Sequence, residues 1–234
     1  MDYRICRPSF QRTLSYCGHR GNNISSPPRS NRMWNHEREA EHSGYRSVAG
    51  VDEAGRGPLA GPVVAAAVVL PPELSLPGLR DSKKMSPALR ETLYDQIIEK
   101  CTGFGISVVD ENTIDEINIL QAALLAMKKA VEQLPAPADM LLIDGNRGIE
   151  CDTRQKTIIG GDDASLSIAA ASVLAKVTRD RLMDRYHDQY PQYEFSRHKG
   201  YGTRLHRERI QQHGPCPIHR KTFKGVTEYL NRRP

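Results

Sequence analysis

Hydrophobic segments of two kinds follow one another along most of the chain and predict an α/β domain. Short apolar runs bounded by glycine, proline or acidic residues predict strands, and these lie at 46–51, 62–70, 103–109, 140–143 and 156–159. Longer segments with helical periodicity or capping signals predict helices, at about 86–100, 111–115, 118–134, 164–189 and 203–213. Strands dominate the first part, and later strands alternate with helices. We therefore predict a mixed sheet flanked by helices over residues 45–230, with a C-terminal helical portion.

The first 44 residues lack this patterning. They are rich in arginine and serine, poor in acids and almost without apolar periodicity. Such a segment buries too little apolar surface to fold, so we predict a disordered extension. A similar composition is typical of organellar transit peptides. A basic tail that tethers nucleic acid and a wrongly assigned start codon are further explanations, and the sequence does not choose among them.

Composition narrows the class of protein. The net charge of +5 permits a polyanionic partner such as nucleic acid. The five cysteines are scattered and form no Cys-x-x-Cys pair, which favours reduced thiols in a cytoplasmic protein. Cys216 and His219 have a spacing that could ligate zinc, but no second pair accompanies them. The longest apolar run, at 63–70, is too short to span a bilayer, so we expect no membrane association.

Acidic residues follow three of the predicted strands. Asp52 and Glu53 come after the first strand, Asp144 after the fourth and Asp162 after the fifth. Carboxylates brought together at the edge of a core repel one another unless a cation lies between them. Hard oxygen ligands without histidine or cysteine suit Mg²⁺ or Mn²⁺. Two such ions can activate a water molecule and stabilise the leaving oxygen of a phosphodiester.

Each acid also has a structural explanation. Asp-Gly is a common turn pair, which fits Asp144. Acids before a helix cap its free amides, and here we assign Asp163 to the cap and Asp162 to the site. The adjacent pair Asp52 and Glu53 has no such explanation. Neighbouring strand residues face opposite ways, so both reach one site only where the strand ends, and we expect Gly55 to supply that bend.

Five ordered blocks make the pattern more specific, namely Gly50–Val63, Asp81–Lys84, Ile143–Gly145, Gly161–Asp180 and His198–Thr203. In order and content they resemble the signatures of type 2 ribonuclease H, the ribonuclease HII family, over about residues 46–225. The resemblance implies a ribonuclease H-like fold and endonucleolytic cleavage of RNA paired with or joined to DNA. It also implies nicking at single ribonucleotides in duplex DNA, as in ribonucleotide excision repair, with 5′-phosphate and 3′-hydroxyl products.

The same resemblance implies roles for individual residues. The metal-binding catalytic acids would be Asp52, Glu53, Asp144 and Asp162, using two Mg²⁺ or Mn²⁺ ions. The loop that meets the RNA–DNA junction would be Gly55, Arg56 and Gly57, with Tyr201 stacking on the deoxyribose. The partners would be RNA–DNA hybrid and ribonucleotide-containing duplex DNA, bound by a monomer.

Four basic residues are candidates for phosphate contacts. Lys83 and Lys84 follow a turn-like Asp-Ser pair and could hold the nucleic-acid backbone. Lys176 and Arg179 lie three apart on one helix face, with Ser172 one turn earlier, and either bind phosphate or pair with Asp180 and its neighbours.

Two other functions remain to be tested. One is a DNA-only nuclease with the same fold, and the other is a hybrid-binding protein without catalysis.

Overall fold

A five-stranded mixed sheet forms the centre of the molecule, in a computed structural model that describes residues 33–79 and 85–230. The strands are β1 Val48–Ala54, β2 Val63–Val69, β3 Gly103–Val109, β4 Met140–Asp144 and β5 Arg154–Ile158. Their order in the sheet is β3-β2-β1-β4-β5. The β1–β2 and β2–β3 pairs are antiparallel, and the β1–β4 and β4–β5 pairs are parallel. The predicted fold class is confirmed.

Helices cover both faces of the sheet. They are α1 Asn35–His42, α2 Pro87–Lys100, α3 Glu111–Glu132, α4 Gly161–Ala164, α5 Leu166–Gln189, α6 Phe195–His198 and α7 Arg204–His213, with 3₁₀ turns at Pro191–Tyr193 and Thr227–Tyr229. Everything after α5 is short helix or irregular chain, which agrees with the predicted C-terminal helical portion. Among the described residues, no helix is both long and apolar enough to cross a bilayer.

Strand alternation divides the core between the two faces. Along β2, Val63, Ala65 and Ala67 pack with α3, whereas Ala66 and Val68 pack with α2 and α5. Small residues let β1 and α5 approach closely, because a Cβ added at Gly50 would lie 2.1 Å from the carbonyl carbon of Ser167. This approach brings α5 directly over the strand that carries the acidic pair.

Two predicted boundaries at the acidic residues are wrong. The first strand does not end at residue 51, since β1 stays paired with β2 as far as Ala54 and Asp52 and Glu53 lie inside it. The long helix does not begin at residue 164 with Asp163 as its cap. Ser165 caps α5 by accepting a hydrogen bond from the Ile168 amide at 3.3 Å, and Asp162 and Asp163 lie in the separate short helix α4.

The predicted short and long helices at 111–134 are confirmed as two parts of α3. Asn118 separates them with the non-helical angles φ 68° and ψ 162°, and its Oδ1 accepts hydrogen bonds from the Leu120 and Gln121 amides at 3.0 and 3.1 Å, which begins the second part.

The predicted disordered extension is wrong for residues 33–44. Met33 and Trp34 are buried in the core beside α2 and α5, and α1 follows them. The Glu37 carboxylate is buried against the start of α5, which ties α1 to the rest of the domain. The sequence did not predict this ordered segment, because most of its residues are polar and only a few of them make the apolar contacts. Residues 1–32, to which the rest of that prediction applies, lie outside the described residues.

Candidate active site

Three carboxylates meet where β1 and β4 run side by side. The last parallel pair of these strands is Val51 with Ile143, so Asp52 and Asp144 are the next residues on each strand. Burial raises the pKa of Asp52 well above its ordinary value, and the negative charges of Glu53 and Asp144 raise it further. The Ser172 hydroxyl of α5 opposes this by donating a hydrogen bond to Asp52. The ionised cluster is therefore unfavourable unless a proton or a cation neutralises it.

The second acid of the pair is held by the neighbouring loop. Burial raises the pKa of Glu53, the nearby Asp144 charge raises it further, and Arg56 lowers it. The Arg56 guanidinium lies 3.2 Å from Glu53 Oε1, and its own side chain is 54% exposed. Strand alternation sends the Asp52 and Glu53 side chains in different directions, yet Asp144, at the end of its strand, interacts with both.

The fourth acid, Asp162, follows a residue that contacts Asp144. Asp144 Oδ1 accepts a hydrogen bond of 2.7 Å from the Gly161 amide, and Asp162 is the next residue along α4. Asp162 is buried, with 8% of its surface exposed. A Cβ added at Gly161 would lie 3.2 Å from Asp144 Oδ1, so the absence of a side chain there permits this contact. The end of β4 is thereby fixed to the turn that follows β5.

These acids offer the right donors for a hard divalent cation, and nothing soft lies among them. In the described part of the chain, no group of three or more His, Cys, Asp or Glu side chains is arranged to hold a metal ion. The contacts give a physical reason. Asp52 Oδ1 accepts from the Glu53 amide at 2.7 Å, Glu53 pairs with Arg56, and Asp144 accepts from Gly161. Carboxylates that repel one another thus each turn towards a hydrogen-bond donor of the protein and not towards a common point. The role of the four acids as metal ligands stays a prediction.

The Gly-Arg-Gly loop presents a small exposed tip. Gly55 is buried with φ 102°, and a Cβ there would lie 2.2 Å from Arg179 Nε, so only glycine fits. Arg56 and Gly57 are exposed, while residues 58–63 are buried. Tyr201, which is 42% exposed, lies beside this tip, since a Cβ at Gly57 would be 3.8 Å from its Cε1. The residues predicted to read the junction are therefore neighbours.

The predicted phosphate contact of Arg179 is wrong. Its side chain is fully buried, and its guanidinium donates to the carbonyls of Pro62, Ala60 and Lys199 at 2.9, 3.1 and 2.9 Å. The spacing of three residues correctly places Arg179 beside Lys176 on α5. It does not show that the Arg179 side of the helix packs against the chain after β1. Arg179 supports the loop from behind.

The other three basic candidates have different outcomes. Lys176 pairs with Asp180 at 2.7 Å and lies 5.8 Å from the centre of the Tyr201 ring, so it stays near the tip. Its contact with phosphate stays a prediction. Lys83 and Lys84 lie outside the described residues.

The Cys216 and His219 pair belongs to a hydrogen-bonded histidine network. His219 Nδ1 lies 3.1 Å from Cys216 Sγ, and His219 Nε2 lies 3.0 Å from His206 Nε2. His206 Nδ1 lies 3.0 Å from the Tyr201 carbonyl oxygen, so the network ends at the residue beside the tip. Both ring nitrogens of His206 and of His219 are thus engaged in hydrogen bonds, which supports a structural role for the Cys216 and His219 pair.

Sequence reasoning missed three contributors. Ser172 contacts Asp52, Glu37 contacts the start of α5, and Arg220 contacts the loop after β1. Ser172 had a signal, because it lies on the same helix face as Lys176 one turn earlier. Glu37 and Arg220 had none, since each contacts residues more than 120 positions away.

Comparisons with known proteins identify the family. The family model for ribonuclease HII matches residues 49–226. Ribonuclease HII of Syntrophotalea carbinolica is 57% identical over 194 residues, which cover 83% of this chain and 93% of that protein. Ribonuclease HII of Geobacter sulfurreducens is 55% identical over 198 residues, which cover 85% and 91%.

Solved structures agree with the fold. The crystal structure of ribonuclease H2 from Pyrococcus horikoshii is similar with a TM-score of 0.67 and 26% identity, over 79% of this chain and 97% of that one. Family model, relatives and fold point the same way, and the chain belongs to the ribonuclease HII family, as a metal-dependent type 2 ribonuclease H that acts on RNA–DNA hybrids.

Proposed function

We propose that this enzyme cuts the RNA strand of RNA–DNA hybrids and also nicks duplex DNA at single embedded ribonucleotides, leaving 5′-phosphate and 3′-hydroxyl ends. One observation carries the proposal. The buried, mutually repelling cluster of Asp52, Glu53 and Asp144 adjoins the exposed Arg56–Gly57 tip, because the Arg56 side chain of the tip lies 3.2 Å from Glu53 Oε1. A site for phosphodiester hydrolysis and a surface for sugar recognition therefore lie together.

The proposed metal ligands are Asp52, Glu53, Asp144 and Asp162, and the proposed ions are two Mg²⁺ or Mn²⁺. When bound, such ions stabilise the negative charge that develops on the phosphate and on the leaving oxygen. The raised pKa of Asp52 and of Glu53 supports this assignment, because the cause is burial together with acidic neighbours that a cation would screen. Ser172 orients Asp52, and Gly161 orients Asp144.

The proposed recognition of a single ribonucleotide depends on the tip and the tyrosine. A glycine at position 57 lets the backbone approach a sugar closely enough to bond a 2′-hydroxyl, the group that distinguishes RNA from DNA. The Tyr201 ring, beside Gly57, offers a flat apolar surface that suits the deoxyribose on the other side of the junction. Lys176, and Lys83 and Lys84 beyond the described residues, are proposed to hold phosphates.

The proposed setting is a monomer in the cytoplasm. All the proposed site residues come from one chain, and the described cysteines, Cys101, Cys151 and Cys216, are free thiols.

The test uses labelled DNA duplexes with no, one or four ribonucleotides, each with Mg²⁺, Mn²⁺ or a chelator. We expect cleavage at one and at four ribonucleotides with either metal, and none with the chelator. Asp144→Asn should abolish cleavage and keep binding, whereas Asp152→Asn, an exposed aspartate outside the site, should behave as wild type.

Other outcomes point elsewhere. Cleavage of the all-DNA duplex would support a DNA nuclease of the same fold. Cleavage of four ribonucleotides but not of one would restrict the enzyme to hybrids and overturn the nicking proposal. Binding without cleavage under any condition would indicate a hybrid-binding protein.

A further inference from the structure

Arg220 lies at the centre of the loop that follows β1. It is fully buried, and its guanidinium donates four hydrogen bonds to backbone carbonyls of that loop. Nε donates to Gly61 at 2.9 Å, Nη1 to Arg56 and Pro58 at 2.9 and 2.8 Å, and Nη2 to Gly55 at 2.6 Å. One side chain, from a residue about 160 positions later, therefore fixes the orientation of four peptide groups in the loop.

The orientation of these carbonyls determines where the amides point. In a planar trans peptide the C=O and the following N–H point in opposite directions, and the described part of the chain contains no cis peptide. With the Gly55 and Arg56 carbonyls directed at Arg220, the amides of Arg56 and Gly57 are directed away from it. Residues 56 and 57 are the exposed residues of this loop, so these two amides face the surface.

The rest of the loop offers no competing donors on that side. Pro58 and Pro62 have no N–H group, and the Leu59 amide donates to the Gly200 carbonyl at 2.8 Å. Within residues 33–79 and 85–230, the Arg56 and Gly57 amides make no backbone hydrogen bond of their own. Two neighbouring free amides at an exposed glycine-containing tip form a small donor pair for a hydroxyl or phosphate oxygen.

The loop's own sequence cannot maintain this shape alone. A buried guanidinium is expensive to desolvate, and burial together with the positive charge of Arg179 lowers the pKa of Arg220 to about 9. The group is still protonated at neutral pH, and its hydrogen bonds go to carbonyls. The centre of the Phe223 ring lies 5.0 Å from the guanidinium carbon, a contact that adds to the restraint from the four hydrogen bonds. Such a fork spans several carbonyls at once, which a lysine ammonium cannot do.

We propose that Arg220 is a positioning residue for ribonucleotide recognition: it turns the Gly55 and Arg56 carbonyls inward and thereby presents the Arg56 and Gly57 amides to the ribose. This inference rests on the proposed function. Arg220 itself contacts no substrate, and its effect passes through the backbone of the tip.

The experiment measures the preference for a ribonucleotide, which a purely structural role would not change. Fluorescence anisotropy gives the affinity for a duplex with one ribonucleotide and for the same all-DNA duplex, with the full chain carrying Asp144→Asn to prevent cleavage. Adding Arg220→Lys should lower the ratio of the two affinities by about tenfold, the effect of losing well-aligned hydrogen bonds. Affinity for the all-DNA duplex should stay within about twofold, since phosphate contacts dominate it.

Two controls separate recognition from stability. Leu93→Ala removes a buried side chain of α2 outside the loop, so it should lower the melting temperature and keep the ratio. Phe223→Leu leaves all four Arg220 donors in place but removes the ring contact that restrains the guanidinium, so a smaller loss of the ratio, about threefold, is expected while the protein stays folded. If Arg220→Lys does not fold, the Phe223→Leu result decides.

The outcomes are distinguishable. An unchanged ratio in folded Arg220→Lys, or in Phe223→Leu when Arg220→Lys fails to fold, overturns the role of Arg220. A ratio of one in the Asp144→Asn parent would instead contradict the proposed recognition of embedded ribonucleotides.

Discussion

At the scale of single residues, unfavourable charge characterises the candidate active site. Asp52 is 5% exposed, and its neighbours Glu53 and Asp144 add negative charge to a site that already disfavours ionisation. Such a cluster lowers the stability of the protein without a cation, which favours a functional role for it. Charge neutralisation should therefore separate stability from activity.

Asp144→Asn tests this separation. The amide oxygen can still accept from the Gly161 amide, while the charge that raises the pKa of Asp52 and of Glu53 is removed. We expect the melting temperature without metal to rise by about 2–4 °C, which corresponds to about 1 kcal/mol for a chain of this size, and cleavage to be lost. Differential scanning calorimetry and a cleavage assay measure both. A lower melting temperature in the variant would show that the acids do not repel one another.

Tyr201 is the second test at this scale. Its exposed ring lies beside Gly57, and its position depends on the backbone carbonyl that contacts His206. Tyr201→Ala should reduce cleavage at a single ribonucleotide by about 10- to 100-fold, because stacking of an aromatic ring on nucleic acid contributes about 1–3 kcal/mol. Tyr201→Phe keeps the ring and should stay within about threefold of wild type. Equal losses in both variants would assign the effect to the hydroxyl.

At the scale of elements, α1 completes the start of α5. Glu37 Oε1 accepts from the Ser167 amide at 2.9 Å, from the Ser167 hydroxyl at 2.7 Å and from the Ser165 hydroxyl at 2.5 Å. A carboxylate at a helix N-terminus satisfies free amides and opposes the macrodipole. The short helix α4, which carries Asp162, directly precedes the first turn of α5. By holding that turn, α1 also helps to fix the position of Asp162 in the candidate active site.

Glu37→Ala should therefore destabilise the protein by about 1–3 kcal/mol, the range for leaving buried donors unsatisfied. Urea denaturation measures the change. Glu41→Ala, an exposed residue of the same helix, is the matched control and should have little effect. Similar values for the two variants would mean that α1 does not contribute through its cap.

At the scale of the whole molecule, buried histidines make stability depend on pH. Burial lowers the pKa of His206 to about 3 and of His219 to about 4. In the unfolded chain both titrate near 6.5. The stability associated with the neutral rings is thus present above about pH 6.5 and is lost as the pH falls towards the folded values, because the unfolded chain takes up protons first.

Lowering the pH from 7 to 5 should accordingly reduce the free energy of unfolding by about 2 kcal/mol for each of these two histidines. Urea titrations at pH 7, 6 and 5 measure this dependence. His42→Gln, which replaces an exposed histidine, should leave the slope unchanged. Protonation of the acidic cluster opposes this loss, because the pKa values of Asp52 and Glu53 are raised. The titrations are therefore repeated with Asp144→Asn, in which this opposing contribution is weaker, and a constant stability in that variant would contradict the buried, neutral state of the pair.

Much of the fold and the family could be predicted from the sequence. Periodicity gave the strands and long helices, since local apolar patterns reflect burial on one face. The acids after the strands and the ordered signature blocks gave the family. The ends of elements were predicted less accurately. Strand β1 reaches Ala54 because it stays paired with β2, and α5 is capped by Ser165 although the sequence also offers the neighbouring acid Asp163 as a cap.

Tertiary structure alone decided which charged residues face inward. Arg56 and Arg220 look alike in sequence, yet one is exposed at the tip and the other is fully buried behind it. Glu37 looked like part of a polar extension and instead caps a helix 128 residues later. The charge of a side chain indicates which groups it can bind, but not which of them surround it in the fold. The surrounding groups come from distant segments of the chain, and such contacts leave no local pattern in the sequence.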